Sequence, residues 1–599
     1  MNRIALSVLL LLLSPAAMAE LLNALPGPFE VGVEKDMMVP MRDGIRLATD
    51  MYFPKSGRER LPAITIRTPY HKGKDYAVDE ARYYASHGYR VLVQDVRGKW
   101  KSEGKYIVSG ADRKDGYDFI DWIVKQAWSD GQAGSTGCSY RGENQIMLAA
   151  EKHPAHKAMI ARAAGGAVGK AGGYYSYFGA YQGGVFDLAG GYDWFTAYGT
   201  KNRTDGQFQP GDVEKALQSL PLVDLLEQQG AGPTDWKAFA STPLNDSWWD
   251  SLGYITDQDT FDVPTLHVNS WYDYGVSQSL FLFNRFQQQA VSDEARKGQY
   301  AIISPVGHCD SEKATLNTMV GQVNVGDARL PYWETYLKWF DYWLKGEKNS
   351  VTEMPRVQYY LIGQGEWKSA NSWPPSNSVN QTYYLHSGGS ANTSSGDGKL
   401  AVAAPGAQKP DLFTYDPGNP VPSRGGTVCC TGNPEDQSGI FDQSDIELRP
   451  DVLVYTGELL EKGLTLAGPV RAMLWVSSSA RDTDFALKLV DVWPDGRAYN
   501  IQDGILRARY REGFDKQVMM APGEIYRLEI SLNDTAYSLK PGHRLRLEVS
   551  SSNFPRSARN LNTGGNNYGE TEWVVAKNTI HHSAEYPSHL ILPVIEHHR

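Results

Sequence analysis

Gly134-Ser-Thr-Gly-Cys-Ser-Tyr-Arg-Gly142 is followed at once by a helix-compatible stretch, Glu143 to Glu151. Small residues that end in a serine, with a helix starting just beyond, are the sequence form of a nucleophile elbow. That tight strand-to-helix turn lifts a hydroxyl clear of the backbone. Glycines allow so crowded a turn, and the following helix N-terminus offers N–H groups to a developing oxyanion. The spacing is G-x-S-x-x-G, not the commoner G-x-S-x-G, and serines between glycines are frequent in plain loops. The motif therefore draws its weight from the chain around it.

Outward from the elbow, short β-branched runs alternate with helix-like segments from Arg46 to about His308. Strands are expected at Leu61–Thr68, Arg90–Asp95, Ala133–Gly137, Ala158–Ala163, Thr265–Asn269 and Tyr300–Ser304. Continuous apolar runs such as Val91-Leu92-Val93 suit strands covered on both faces, and the alternation predicts a doubly wound α/β domain. Residues 168–260 break the rhythm. They are rich in Gly, Tyr and Trp, include one predicted helix at Val213–Gln229, and are too long for a plain loop. They read as an insertion capping the carboxyl end of the sheet. Leu330–Lys345 is helical in pattern and would close the domain.

After Val351 the pattern changes to period-two alternation broken by turns such as Asp416-Pro-Gly-Asn-Pro420 and Trp493-Pro-Asp-Gly496. Strands at Val357–Ile362, Thr382–His386, Val452–Tyr455, Val470–Ser477, Phe485–Val492, Tyr526–Ser531 and Arg544–Ser550 predict an all-β sandwich. The expected division is residues 20–167 with 261–350, then 168–260, then 351–599.

The first nineteen residues read as an export signal. Arg3 gives the positive start, Ile4 to Leu13 the apolar stretch, and Ala17-Met18-Ala19 the cleavage pattern, so Glu20 is the expected mature N-terminus in a periplasm or outside the cell. The apolar run is too short to span a membrane, and no cysteine follows the cleavage point to carry a lipid. A net charge of −10 over 599 residues, without basic runs, gives no footprint for nucleic acid or anionic lipid. Four cysteines remain, Cys138, Cys309, Cys429 and Cys430, which export would allow to pair. None shows metal-ligand spacing. The His581-His582 and His597-His598 pairs read as solvated surface.

A serine hydroxyl needs a neutral imidazole to take its proton and a carboxylate to orient that imidazole. The chain order Ser, then Asp or Glu, then His excludes histidines ahead of Ser139. His153 and His156 follow it too closely, and His267 falls inside a strand. His308 ends the apolar run Ile303-Ser-Pro-Val-Gly-His308, and Asp273 ends His267-Val-Asn-Ser-Trp-Tyr-Asp273. Each also fits a plainer role, Asp273 as a helix N-cap and His308 as a turn residue. In order behind an elbow, they favour a Ser139–Asp273–His308 triad. If Ser139 and His308 meet, Cys138 and Cys309 come within bridging reach. Cys429 and Cys430 then remain as a vicinal pair or two free thiols.

These residues carry a resemblance. Arg67-Thr-Pro-Tyr70, Gln94-Asp-Val-Arg-Gly98 with Ser102-Glu-Gly104, Gly137-Cys-Ser-Tyr-Arg-Gly142, Trp271-Tyr-Asp273 and Gly307-His308 occur in sequence. Pro420-Val-Pro-Ser-Arg-Gly-Gly426, Asp436-Gln437 and Ser551-Ser-Asn-Phe-Pro-Arg556 continue it. The set resembles the cocaine esterase family, which includes α-amino acid ester hydrolases, glutaryl acylases and X-prolyl dipeptidyl aminopeptidases. The resemblance implies an α/β-hydrolase core with a helical cap insertion and a C-terminal jelly roll. It implies Ser139 as nucleophile, His308 as base then acid, Asp273 as orienter, and an oxyanion hole from the Tyr70 hydroxyl and the Tyr140 backbone N–H. No metal or cofactor is implied.

One departure bears on substrate. Family members that select a free α-amino group use a carboxylate cluster partly two and three residues beyond the catalytic Asp, where this chain has Gly275 and Val276. Gly172 to Tyr181 is aromatic and uncharged, and a bare ammonium there is costly to desolvate. Asp187 and Asp193 are the acids available to replace the cluster, each with a plainer structural reading. Tyr174, Tyr175, Phe178 and Trp271 are candidates for an aromatic substrate pocket. The chain therefore reads as an exported serine hydrolase for a small-molecule ester or amide. An X-Pro dipeptidyl-peptidase and a jelly-roll binding protein with an inert α/β domain are the rivals, and a homo-oligomer stays open.

Overall fold

A computed structural model describes residues 25–57, 59–201, 211–429 and 437–596. The expected signal, residues 1–19, lies outside these, as do Cys430 and His597-His598. Ten strands form the first sheet: β1 (Val31–Pro40), β2 (Arg46–Pro54), β3 (Leu61–Thr68), β4 (Arg90–Asp95), β5 (Ser129–Cys138), β6 (His156–Arg162), β7 (Thr265–Ser270), β8 (Gln299–Ser304), β9 (Val357–Leu361) and β10 (Glu366–Ala370). Their order is β1-β2-β4-β3-β5-β6-β7-β8-β9-β10. All pairings from β4 to β9 are parallel, and antiparallel strands stand only at the two ends. This is the α/β-hydrolase architecture.

Helices cover both faces, which is why β3, β7 and β8 are buried along their whole length. On one face α1 (Asp75–Ser86) and α6 (Tyr332–Lys345) bring Ala81, Tyr84, Trp339 and Phe340 against Ile64, Ile66, Val93 and Ile302. On the other, α2 (Asp112–Val124) packs Phe119 and Ile120 against Ala63 and Leu92. Beside it run α3 (Tyr140–Ala149) and α5 (Val276–Gln288).

The cap contributes α4 (Leu188–Ala197), short two-residue hairpins and several one-turn helices. The helix expected over Val213–Gln229 is broken into Val213–Leu217 and Leu225–Gln228. Pro221 stands between them, lacking an N–H and unable to continue the first.

Ser378–His386 through His589–Ile595 form the all-β domain, an eleven-stranded sheet system. The boundary at residue 351 needs correction. Val357–Leu361 is not a sandwich strand but β9, parallel to β8, and β10 follows it in the same sheet. Its alternation suits an edge hairpin as well as a sandwich, and only the pairing partner separates the two. His582 is also not solvated: it is buried, with Nδ1 2.9 Å from Gln408 Oε1 and Nε2 2.8 Å from Asp411 Oδ2. One hydrophobic cluster runs from Trp271, Leu280 and Ile303 of the α/β domain into Leu474, Leu487 and Ile530 of the β domain.

Candidate active site

Because β3, β5, β7 and β8 run parallel, the residues just past their ends share one edge: Tyr70, Ser139, Asp273 and His308. Ser139 is the N-cap of α3 and sits at φ 63°, ψ −136°, the strained turn that an elbow requires. The flanking glycines are demanded by space. A Cβ on Gly137 would come 2.5 Å from Arg141 Cβ, and one on Gly142 would come 2.5 Å from the Arg162 carbonyl oxygen. That pair of contacts accounts for the G-x-S-x-x-G spacing.

Asp273 is fully buried. Its Oδ1 accepts from the Gly275 N–H (2.7 Å) and Asn269 Nδ2 (3.2 Å), and its Oδ2 faces His308 Nδ1 in a direct hydrogen bond. His308 Nε2 is buried and has no hydrogen-bond partner among the described residues. Burial alone would push the imidazole down, but the Asp273 charge and hydrogen bond, with Asp310 behind them, hold it above the ordinary histidine range. An imidazole tied to a carboxylate at one nitrogen and bare at the other is built to accept a proton.

A Cys138–Cys309 disulfide links the residues adjoining Ser139 and His308, with Cα atoms 6.0 Å apart. Cys429 is disulfide-bonded too, which excludes a free thiol there. The Ser139 Oγ lies 3.3 Å from the Tyr70 hydroxyl, which also accepts from Trp194 Nε1 at 3.3 Å. Burial pushes the Tyr70 phenol up to about 12, so it stays protonated and able to donate. Tyr140 opens α3, where the first N–H groups have no intrahelical acceptor.

A narrow cavity of about 40 Å³ adjoins Ser139, lined by Phe178, Trp194, Phe195, Asp187 and Tyr274. Of the four aromatic pocket candidates only Phe178 lines it. Trp271 is core instead: it is fully buried, donates Nε1–H to the Tyr360 carbonyl oxygen (2.7 Å) and leans on Trp373. Tyr174 and Tyr175 sit beyond the turn at Gly172 and Gly173, which lays them against Phe281 and Phe514. His308 also borders a larger cleft of about 570 Å³, with Asp310, Lys313 and Thr315 on one side and Gln437 and Ser438 of the β domain on the other.

Sequence reasoning missed Trp194, Tyr274 and Glu143. Glu143 had a signal, since it lies four residues past Ser139 and so shares its helix face, but an acid in a first helical turn reads by default as a dipole partner.

The model of the X-Pro dipeptidyl-peptidase (S15) family matches residues 43–310, and that of the X-Pro dipeptidyl-peptidase C-terminal non-catalytic domain matches residues 349–591. Over 589 residues the chain is 34% identical to the cocaine esterase of Rhodococcus sp. (strain MB1 Bresler), spanning 94% of this chain and 99% of that one. The chain belongs to the cocaine esterase family. It is, accordingly, a serine hydrolase. Among solved structures, an aminopeptidase from marine sediment archaeon Thaumarchaeota archaeon superimposes with a TM-score of 0.79 at 26% identity, over 95% of this chain and 97% of its own. An α-amino acid ester hydrolase shares the fold with the same TM-score at 24% identity, over 94% and 97% of the two chains.

Proposed function

We propose that this cocaine esterase family member cleaves a small-molecule ester or amide by acyl transfer to Ser139. His308 Nε2 takes the Ser139 proton as Oγ attacks the carbonyl carbon, and the oxyanion is received by the Tyr70 hydroxyl and the Tyr140 N–H. His308 passes its proton to the departing oxygen or nitrogen, leaving an acyl-serine. Water, deprotonated by the same imidazole, then releases the acid and restores the serine. For this step Oγ must leave the Tyr70 hydroxyl and turn toward the bare His308 Nε2. The observation that carries this reading is the buried His308 ring, held by Asp273 at Nδ1 and bare at Nε2, tethered beside Ser139 by the disulfide.

The proton donor must reach the departing atom. The leaving group therefore belongs in the cleft bordered by His308, and a compact apolar acyl group in the narrow cavity beside Ser139. Ser139→Ala should abolish turnover of a small aryl ester and labelling by a fluorophosphonate while the protein stays folded; undiminished turnover overturns the reading. Export is supported by the Cys138–Cys309 bond, which belongs to an oxidising compartment. Mass spectrometry of the secreted protein should find Glu20 first.

A second reading, recognition of a free α-amine as in a dipeptidyl-peptidase, is favoured by one observation: Asp187 brings a carboxyl to the cavity wall. Against it, Asp187 Oδ1 already accepts the Gly190 N–H as the N-cap of α4. X-Pro anilides assayed beside their N-blocked analogues decide it: preference for the free amine establishes this reading.

A further inference from the structure

Glu143 is a buried carboxyl that the reaction above leaves unused. It stands one turn past Ser139 on α3 and is 1% exposed. Its Oε1 accepts a 2.8 Å hydrogen bond from the Tyr274 hydroxyl, and its Oε2 is buried without a partner. Tyr274 follows Asp273 directly. Its ring lies against the His308 imidazole, with centroids 5.4 Å apart and planes inclined by 34°.

The surroundings leave room for this pair and little else. A Cβ on Gly166 would come 2.3 Å from Glu143 Oε1 and 2.9 Å from the Tyr274 hydroxyl oxygen, and one on Gly179 would come 1.9 Å from the Tyr274 ring. Asp273 holds the imidazole at one edge only. A single hydrogen bond leaves a ring free to tilt about it, whereas a flat neighbour packed on the ring removes that freedom.

We propose that Glu143 and Tyr274 are positioning residues that clamp His308: Glu143 fixes the Tyr274 hydroxyl, and the Tyr274 ring holds the imidazole with Nε2 turned toward Ser139. The clamp rests on the Ser139–His308–Asp273 reading. Burial pushes the Glu143 carboxyl up to about 8, so at neutral pH it serves as an uncharged acceptor. An amide should therefore replace it.

The full chain is assayed with p-nitrophenyl acetate. Tyr274→Ala removes the packed ring and is expected to lower kcat about tenfold to a hundredfold with KM little changed, the scale of a small misplacement of a catalytic group. Tyr274→Phe and Glu143→Leu each remove the anchor and should cost less, about threefold to tenfold, with the double variant no worse than either single because both break one link. Glu143→Gln keeps an oxygen for the tyrosine and should stay within about twofold of wild type. The low-field proton resonance of the His308–Asp273 hydrogen bond should broaden in Tyr274→Ala and persist in Glu143→Gln.

Wild-type kcat with a sharp resonance in Tyr274→Ala overturns the clamp. So do additive losses in the double variant, or a Glu143→Gln as impaired as Glu143→Leu. Should Tyr274→Ala not fold, Tyr274→Phe and Glu143→Gln carry the test, since both preserve the packing. A wild type that a fluorophosphonate does not label overturns the parent reading and the clamp with it; a labelled wild type beside an unimpaired Tyr274→Ala overturns the clamp alone.

Discussion

The carboxyl edge of the sheet and the cap above it are held by different forces. Under the elbow, Glu80 receives Arg162 at 2.6 Å and Thr136 at 2.9 Å, Arg141 approaches it at 3.4 Å, and Arg162 reaches on to Glu312 at 3.1 Å. These buried, directional contacts and the disulfide join β5, β6 and the segment after β8. The cap has instead single hydrogen bonds from ring to backbone, such as Tyr177 to the Leu244 carbonyl at 2.6 Å and Tyr181 to that of Phe239 at 2.7 Å. It is held by ring against ring, with Tyr177 stacked on Trp249 at 4.2 Å and Phe239 edge-on to Trp248, Trp249 and Phe195. Directional bonds fix where reacting atoms stand. Ring packing fixes a volume and tolerates exchange of its members. On the proposed reaction, the edge would carry the chemistry and the cap the choice of acyl group.

Substitutions can break that comparison. The largest effect after loss of the serine itself is expected for Asp273→Asn, about 10⁴-fold in kcat, by analogy with removing the orienting charge of a triad. Stopped-assay kinetics on an aryl ester measure it. Tyr70→Phe should lower kcat by about 10²–10³-fold with little change in KM, since one oxyanion donor is lost. Equal kinetics would remove Tyr70 from that role.

The pH profile sharpens the same contrast. Proton acceptance needs neutral His308, whose pKa the Asp273 charge holds above the ordinary value. In the wild type, kcat/KM should therefore fall as pH drops through a midpoint above about 6.5. In Asp273→Asn the desolvation of the ring dominates, and the midpoint should move downward.

Replacing both Cys138 and Cys309 by Ser should cost about 2–4 kcal/mol of stability, read by calorimetry, and should lower kcat more than it raises KM. The smallest effect is expected in the cap. Phe178→Ala should shift preference among acyl chain lengths by about tenfold in kcat/KM, near the value of one or two buried methylenes, and leave fluorophosphonate labelling intact. If Phe178→Ala instead abolished labelling, the division between edge and cap would fail.

What sequence reasoning could read follows the same division. Leu61–Thr68, Arg90–Asp95 and Arg544–Ser550 are observed with the predicted bounds, because a strand buried on both faces or alternating strictly carries its signal locally. The placement of Ser139, Asp273 and His308 past the strand ends was readable for the same reason. Trp271 was misread because it adjoins Asp273 in sequence, yet its side chain points into the core shared with the β domain. Tyr174 and Tyr175 were misread because the turn at Gly172-Gly173, not composition, decides where they face. Glu143 and Tyr274 lie 131 residues apart, and nothing local announces that they touch.

Gln502 of the β domain donates its Nε2 to the carbonyl oxygens of both Trp271 and Asp534, at 2.9 and 3.0 Å. The amide thus spans a seam just two residues from Asp273. A protease fragment ending near residue 371 would bare a tryptophan and orphan that carbonyl next to the reacting atoms. Such a stump should neither keep its shape nor turn over ester, and chimaeras built by exchanging the trailing half with a distant cousin would have to transplant both sides of the seam together.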